Sequence, residues 1–505
     1  MNASWDRPLV LLLLLLLVGA SPAQGGSEGP PSTEGAIAIT GGRVLTHAAR
    51  EPVVATVLVV NGKITAVGPD VDVPDGARVV DARGHIVAPA FIDAGNLGLI
   101  DPASTKAGPA GSGDRVVDML GAWNEEVRLD LLRAGIGGLY VDLPPAGRRF
   151  RGPTGAIALV DPEGATPPIL EEVAGVTFRV GGSSRSASSV QTRSASLRNI
   201  RSAFSAADRH KKALEKYDKE LAEYEEKIAA WKKNKGGKKP DEKKKKKPDE
   251  KKSDEEKAEK KASSTRSKRP DNWDKMTAQE KFKWMRDNAR RGSSSAKPAP
   301  PSEKEDGEPK PPTKPNPDPA SESMLRVVEG EVPLRVEAHW KEDILAVLRI
   351  AKEKKVRCVL LGASESWRCV EELKEAGVSV ILGPPLRLGG DRIDWYQSRP
   401  DLAKVLHDGD IPFAFMTAGA HGYRLDCAPL LAALSVANGL DDTAALHALT
   451  AGAAEIVGLG ERLGSIEEGQ EALIQVLTAM PLDPEARVAR MVIGESVIDV
   501  QGKRP

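Results

Sequence analysis

The sequence predicts an α/β fold. It comprises a (β/α)8 TIM-like barrel, a small β-sandwich assembled from both termini, and a long charged insertion within the barrel. Three observations predict it. Short Val- and Ile-rich runs alternate with helix-period segments through the middle of the chain. Strand-rich segments broken by turn residues stand at both ends. One internal stretch is almost entirely Lys, Asp and Glu. The 505 residues leave room for roughly three domains.

The chain opens with Arg7, an apolar run from Leu9 to Val18, and the small residues Ser21 and Ala23 ahead of Gln24. Such a run is well short of the roughly twenty residues that cross a bilayer. The layout is that of a secretory signal peptide over residues 1–23. It predicts a secreted or periplasmic protein with no integral membrane span after cleavage.

Residues 36–88 hold AIAITGGRVLTH, PVVATVLVVNGKITAVG and ARVVDARGHIVAP, with NGK at 61–63 as a hairpin signal between apolar runs. A similar pattern returns over 462–501 in GSIEEGQEALIQVL and RVARMVIGESVIDV. The two ends are expected to form one sandwich. Between them, residues 89–184 and 325–461 form the barrel. Its strands are expected at 89–94, 137–143, 156–160, 176–180, 334–339, 357–362, 378–383 and 413–418. Helices at 343–355 and 366–376 carry apolar residues at three- and four-residue spacing.

The insertion, 185–324, departs from this rhythm. Leu214, Tyr217, Leu221, Tyr224, Ile228 and Trp231 repeat at 3-4 spacing over 210–233, a heptad seam on a charged helix. That helix either folds back onto the barrel or offers a coiled-coil site to a protein partner. The following Lys-rich stretch cannot bury enough apolar area to offset chain entropy and reads as disordered. It serves either as a solvated spacer or as a site for an anionic polymer. Trp273, Met276, Phe282, Trp284 and Met285 form a short amphipathic island before a Pro-rich linker.

Lys+Arg and Asp+Glu each total 72. This balance argues against a surface built as a whole for nucleic acid or acidic lipid. Cys358, Cys369 and Cys427 are the only cysteines, which excludes a disulfide scaffold and a four-cysteine zinc site. Cys358 sits in an apolar run and reads as a small buried hydrophobe. The seven histidines form neither HxH nor HExxH.

VLVVNGKITAVGP…VVDARGHIVAPAFIDAG and LHALTAGAAEIVGLGERLGSIEEGQEALIQV resemble the entry and exit segments of the amidohydrolase superfamily. LLRAGIGGLYVDLPPAGRRFRGPTGAIALV and PLRVEAHWKEDILAVLRIAKEKKVRCVLLGASESW are similar to its secreted, imidazolonepropionase-like or dipeptidase-like branches. The resemblance implies hydrolysis of non-peptide C–N bonds by a metal-activated water at the C-terminal mouth of the barrel. The family's ligands are HxH on strand one, a His on each of strands five and six, and an Asp on strand eight.

Each of these positions is altered. Gly95 and Leu97 stand for the HxH pair, Glu337 for the strand-five His, Gly362 for the strand-six His and Ala418 for the strand-eight Asp. Leu473 replaces a second Asp of the exit motif. Glu337, His339 and His421 remain as candidates for a rebuilt site, which would suit zinc; otherwise no cofactor is expected. His339 reads equally as a packing residue and His421 as a loop residue. His47, His85, His210, His407 and His447 are assigned no chemistry. Arg148, Arg149 and Arg151, in a Gly-rich loop, are candidates for anion binding, or simply part of a connection. GASES at 362–366 is superficially like a serine motif, but the sequence shows neither the strand-turn setting of GxSxG nor a partnered histidine. Two functions follow: a catalytically inactive relative kept for binding or scaffolding, or an active metal-dependent amidohydrolase or dipeptidase with a relocated site.

Overall fold

The computed structural model describes residues 35–46, 51–96, 125–141, 150–159, 169–180, 193–235, 309–383, 399–417 and 427–501. They fall into two compact units. One runs to Lys212 and resumes at Asn316; the other is Ala213–Pro315.

The N-terminal segment supplies β1 (Ile37–Val44), β2 (Val53–Val60), β3 (Lys63–Gly68), β4 (Arg78–Asp81) and β5 (Ile86–Pro89). The barrel strands are β6 (Phe91–Asn96), β7 (Ile136–Val141), β8 (Phe150–Ala158), β9 (Ile169–Arg179), β10 (Leu334–Ala338), β11 (Cys358–Gly362), β12 (Ser379–Leu382) and β13 (Phe413–Phe415). The chain ends with β14 (Leu473–Leu477), β15 (Val488–Ile493) and β16 (Ser496–Asp499).

The first sheet follows the order β16-β15-β14-β5-β1-β2-β3, with β4 alongside β1. The two ends of the chain meet where β14 pairs antiparallel with β5. Alternation builds its core: Ile37 and Ile39 from β1, Val57 and Val59 from β2, and Ile474 and Val476 from β14 point to one buried side. Asn61 (φ 50°) and Gly62 (φ 73°) turn β2 into the antiparallel β3. Both central positions of a type I′ turn need positive φ, which Asn and Gly tolerate best.

The second sheet runs β13-β12-β11-β10-β9-β8-β7-β6 and forms a nearly closed eight-stranded barrel. All eight expected strands are present, but they are not all parallel. β8 lies antiparallel to both β7 and β9, whereas the other neighbouring pairs are parallel. The reason is length. A parallel crossover takes a dozen or more residues, and too few separate Val141 from Phe150. β8 and β9 also start earlier than expected and make one long ribbon.

The helices cover the barrel. α1 (Glu125–Arg133) buries Leu131 and Leu132. α2 (Arg193–Lys235) is one continuous helix; its Ile200, Phe204 and Ala207 belong to the barrel's apolar core. Within the second unit, the heptad-seam residues of α2 are half-buried and the positions between them are mostly exposed. α3 (Pro319–Val328) begins at Asp318, whose carboxylate accepts from the Ser321 N–H at 3.3 Å, with Pro319 in the first turn as a helix start favours. α4 (Lys341–Lys354) matches the expected helix and buries Ile344, Val347 and Ile350. The stretch expected as one helix over 366–376 is instead a 3₁₀ turn, Ser366–Arg368, and α5 (Val370–Ala376), broken at Cys369 by a φ of −148°. α6 (Leu402–Asp408), α7 (Ala428–Ala437), α8 (Asp442–Leu449) and α9 (Ala451–Ile456) complete the set. Among the described residues, no helix is long and apolar enough to cross a membrane.

Candidate functional site at the barrel mouth

β10 faces the barrel interior with a polar row. Residues two apart share a strand face, and Arg335, Glu337 and the next such position, His339, are 0%, 6% and 5% exposed. Arg335 is the deepest. Its guanidinium carbon lies 3.7 Å from the centroid of the Tyr140 ring, and Nη2 donates to the Ala94 carbonyl at 3.0 Å. Gly175 admits this stack: a Cβ there would fall 2.6 Å from Tyr140 Oη and 2.7 Å from Arg335 Cδ. Tyr140 Oη also hydrogen-bonds Thr154 Oγ1. Arg335 shares the alternation of LRVEAH with the candidates Glu337 and His339, and residue type alone did not single it out.

Nearer the mouth, Glu337 Oε1 sits between Arg179 Nε at 3.4 Å and His339 Nε2 at 3.5 Å. The other imidazole nitrogen, Nδ1, is 2.8 Å from Ser364 Oγ. Ser364 follows β11 on a turn that needs positive φ at both Gly362 (78°) and Ala363 (38°). Glu365 N–H donates to the His339 carbonyl at 2.9 Å, tying the turn to the end of β10. Thus GASES does follow a strand and a sharp turn, and its serine does have a histidine partner. That partner comes from a different strand, so no local spacing announces it.

Across the barrel seam, Asp93 of β6 is buried and accepts four hydrogen bonds. They come from Thr417 Oγ1 at 2.5 Å, Asn96 Nδ2 at 2.8 Å, and the N–H groups of Gly95 and Thr417 at 3.1 Å each. Asn96 Nδ2 also reaches Thr417 Oγ1 at 3.0 Å. These bonds stitch the first barrel strand to the segment after the eighth. Burial pushes the Asp93 carboxyl up to about 6, and the four donors hold it from rising further. Cys358 is buried on β11, and burial pushes its thiol up to about 12, in keeping with an inert packing residue.

At two positions where the resemblance expects metal ligands, the surroundings are crowded. A Cβ at Gly95 would lie 3.0 Å from Met416 Sδ and 3.1 Å from Met416 Cβ. A Cβ at Gly362 would lie 2.2 Å from His339 Cε1. His339 therefore fills the place where a side chain at Gly362 would start, and Met416 crowds the one at Gly95. Among the described residues, no group of three or more His, Cys, Asp and Glu could hold a metal ion. The described residues at the mouth do not fit the metal that the resemblance implies.

Of the other candidates, the structure brings Glu337 and His339 together, while His421, Leu97 and Ala418 lie outside the described residues. So do Arg148 and Arg149; Arg151 lies at the start of β8.

The nearly closed barrel and the sheet shared by both termini define a TIM-like α/β fold with an appended β-sheet domain. Residues 325–500 match the amidohydrolase family model. A stretch of 37 residues is 51% identical to dihydroorotase of Mycobacterium tuberculosis, covering 7% of this chain and 9% of that protein. Another, of 75 residues, is 39% identical to adenine deaminase of Deinococcus deserti, covering 15% of this chain and 13% of that protein. The matches thus span only about a tenth of these curated relatives. A solved amidohydrolase from Thermotoga maritima shares the fold over 92% of this chain and 99% of its own, with a TM-score of 0.61 and 19% identity. Over residues 325–500 the chain is thus similar to the amidohydrolase family, and its fold is shared with a solved amidohydrolase.

Proposed function

We propose that this chain is an exported member of the amidohydrolase superfamily that has given up metal-activated hydrolysis of C–N bonds and keeps its barrel for binding. One observation carries the reading: His339 occupies the space that a ligand side chain at Gly362 would need, and Met416 crowds that at Gly95. Loss of selection for metal binding would leave those positions open to any residue. Their filling by packed neighbours argues that the mouth has been rebuilt for a different use. The relocated zinc site around Glu337, His339 and His421 is disfavoured because both nitrogens of His339 already face other groups, Glu337 and Ser364.

The heptad helix over 210–233 is the surface proposed for a protein partner, and the Lys-rich stretch beyond it for an anionic polymer. The leader-like N-terminus supports export to the periplasm or the medium. Elemental analysis and zinc titration of the purified chain, run beside amidase, dipeptidase and lactamase assays, test the central reading. The expected result is sub-stoichiometric metal and no chelator-sensitive turnover. Stoichiometric zinc with turnover that a chelator abolishes would overturn it.

A further inference from the structure

We infer that Ser364, His339 and Glu337 form a metal-free relay that captures an acyl compound as a covalent acyl-serine. The inference deepens the binding reading above and rests on it in one respect: the capture needs no metal. Its basis is a chain of contacts among three side chains at the C-terminal ends of β10 and β11. Ser364 Oγ is 2.8 Å from His339 Nδ1, and His339 Nε2 is 3.5 Å from Glu337 Oε1. A hydroxyl in contact with an imidazole whose far nitrogen faces a carboxylate is the arrangement by which a serine becomes nucleophilic at neutral pH.

The setting suits that use. Ser364 and His339 are 4% and 5% exposed, so bulk water competes little for the proton. Both stand at the C-terminal ends of neighbouring parallel strands, where barrels of this type place their chemistry. Ser364 directly follows Ala363, a non-glycine residue held at a φ of +38°. Left-handed backbone at such a residue is strained and persists where surrounding structure imposes it. The imidazole also requires glycine at 362, since any Cβ there would collide with it.

In the capture step, Ser364 Oγ attacks the carbonyl carbon of an activated ester or strained lactam and forms the new C–O bond. The hydroxyl proton passes to His339 Nδ1. The resulting imidazolium keeps its Nε2–H toward Glu337, which acts as a positioning residue. On collapse the carbon–leaving-group bond breaks and the leaving oxygen or nitrogen takes the proton from Nδ1. The products are the acyl-serine and a neutral leaving group, which stays tethered when a ring has opened.

The test is reaction of the full chain, in chelator, with a fluorophosphonate probe, read by intact mass and peptide mapping. The expected result is one adduct, on Ser364, lost in Ser364→Ala and in Ser364→Cys and formed at the wild-type rate in Ser366→Ala. His339→Gln is expected to slow labelling about a hundredfold, the usual scale of a general base. Glu337→Gln is expected to slow it and alter its pH profile, which a purely structural carboxylate would leave unchanged. No adduct on the folded protein, an adduct elsewhere, or equal labelling of Ser364→Ala would overturn the inference. Chelator-sensitive turnover would instead overturn the binding reading, so the two failures are told apart.

Discussion

The imidazole of His339 stands where a side chain on Gly362 would begin, with Cε1 2.2 Å from the position of a Cβ. This contact ties Gly362, where the resemblance expects a strand-six ligand, to a buried histidine two residues beyond Glu337. It also makes Gly362 doubly constrained, because its φ of +78° disfavours any residue with a side chain. Gly362→Ala is therefore expected to destabilise the chain by about 2–4 kcal/mol, combining left-handed backbone with overpacking. In a His339→Ala background the overpacking part should vanish and the cost fall to about 1–2 kcal/mol. Urea unfolding of the four chains of this cycle measures the coupling, and additive effects would show that the contact is not tight.

Gly95 makes a similar but softer contact. Its nearest obstacle is Met416, a flexible side chain that gives way more cheaply than a ring. Gly95→Ala is expected to cost about 1 kcal/mol and Gly95→His about 3 kcal/mol or more. Neither variant alone should bind zinc in a calorimetric titration, since the strand-six position remains closed.

Asp93 ties β6 to Thr417 as a buried carboxylate whose pKa is raised to about 6 from 3.8. The folded state then holds a proton more tightly than the unfolded state. Stability from this group is fully present below the unfolded value and is lost as pH rises through about 6. The loss is of order 3 kcal/mol. Melting curves between pH 4 and pH 7 should show this decline superimposed on other titrations. Asp93→Asn should flatten it selectively, and an unchanged slope in that variant would remove Asp93 as its source.

The barrel strands were legible in the sequence because each is a short apolar run between turn residues, and buried strands read that way. The reversed direction of β8 was not, because direction depends on how the segment after Val141 returns, and composition says nothing of that. The resemblance singled out Gly95 and Gly362 as positions to inspect. What packs against them was not legible, since Met416 and His339 arrive from the segments just past β13 and β10. For the same reason Ser364 looked unpartnered: its histidine lies twenty-five residues earlier along the chain. The hairpin at Asn61 and Gly62 shows the opposite case, where two adjacent residues carry the whole signal.

Arg335 and Tyr140 give the last prediction. A fully buried guanidinium is costly unless its surroundings replace water, and here an aromatic face at 3.7 Å and the Ala94 carbonyl do part of that. Removing the ring leaves the charge without its stack, so Tyr140→Leu is expected to destabilise by about 2–4 kcal/mol. Arg335→Met keeps the volume and removes the charge, so it should cost less, about 1–2 kcal/mol. The double variant is expected to be more stable than the sum of the two losses implies, by about 1–2 kcal/mol, because the guanidinium that the ring faced has gone as well. Chemical denaturation of the four chains reads this directly. Strict additivity would mean that the ring supports the barrel by its bulk alone and not by facing the guanidinium.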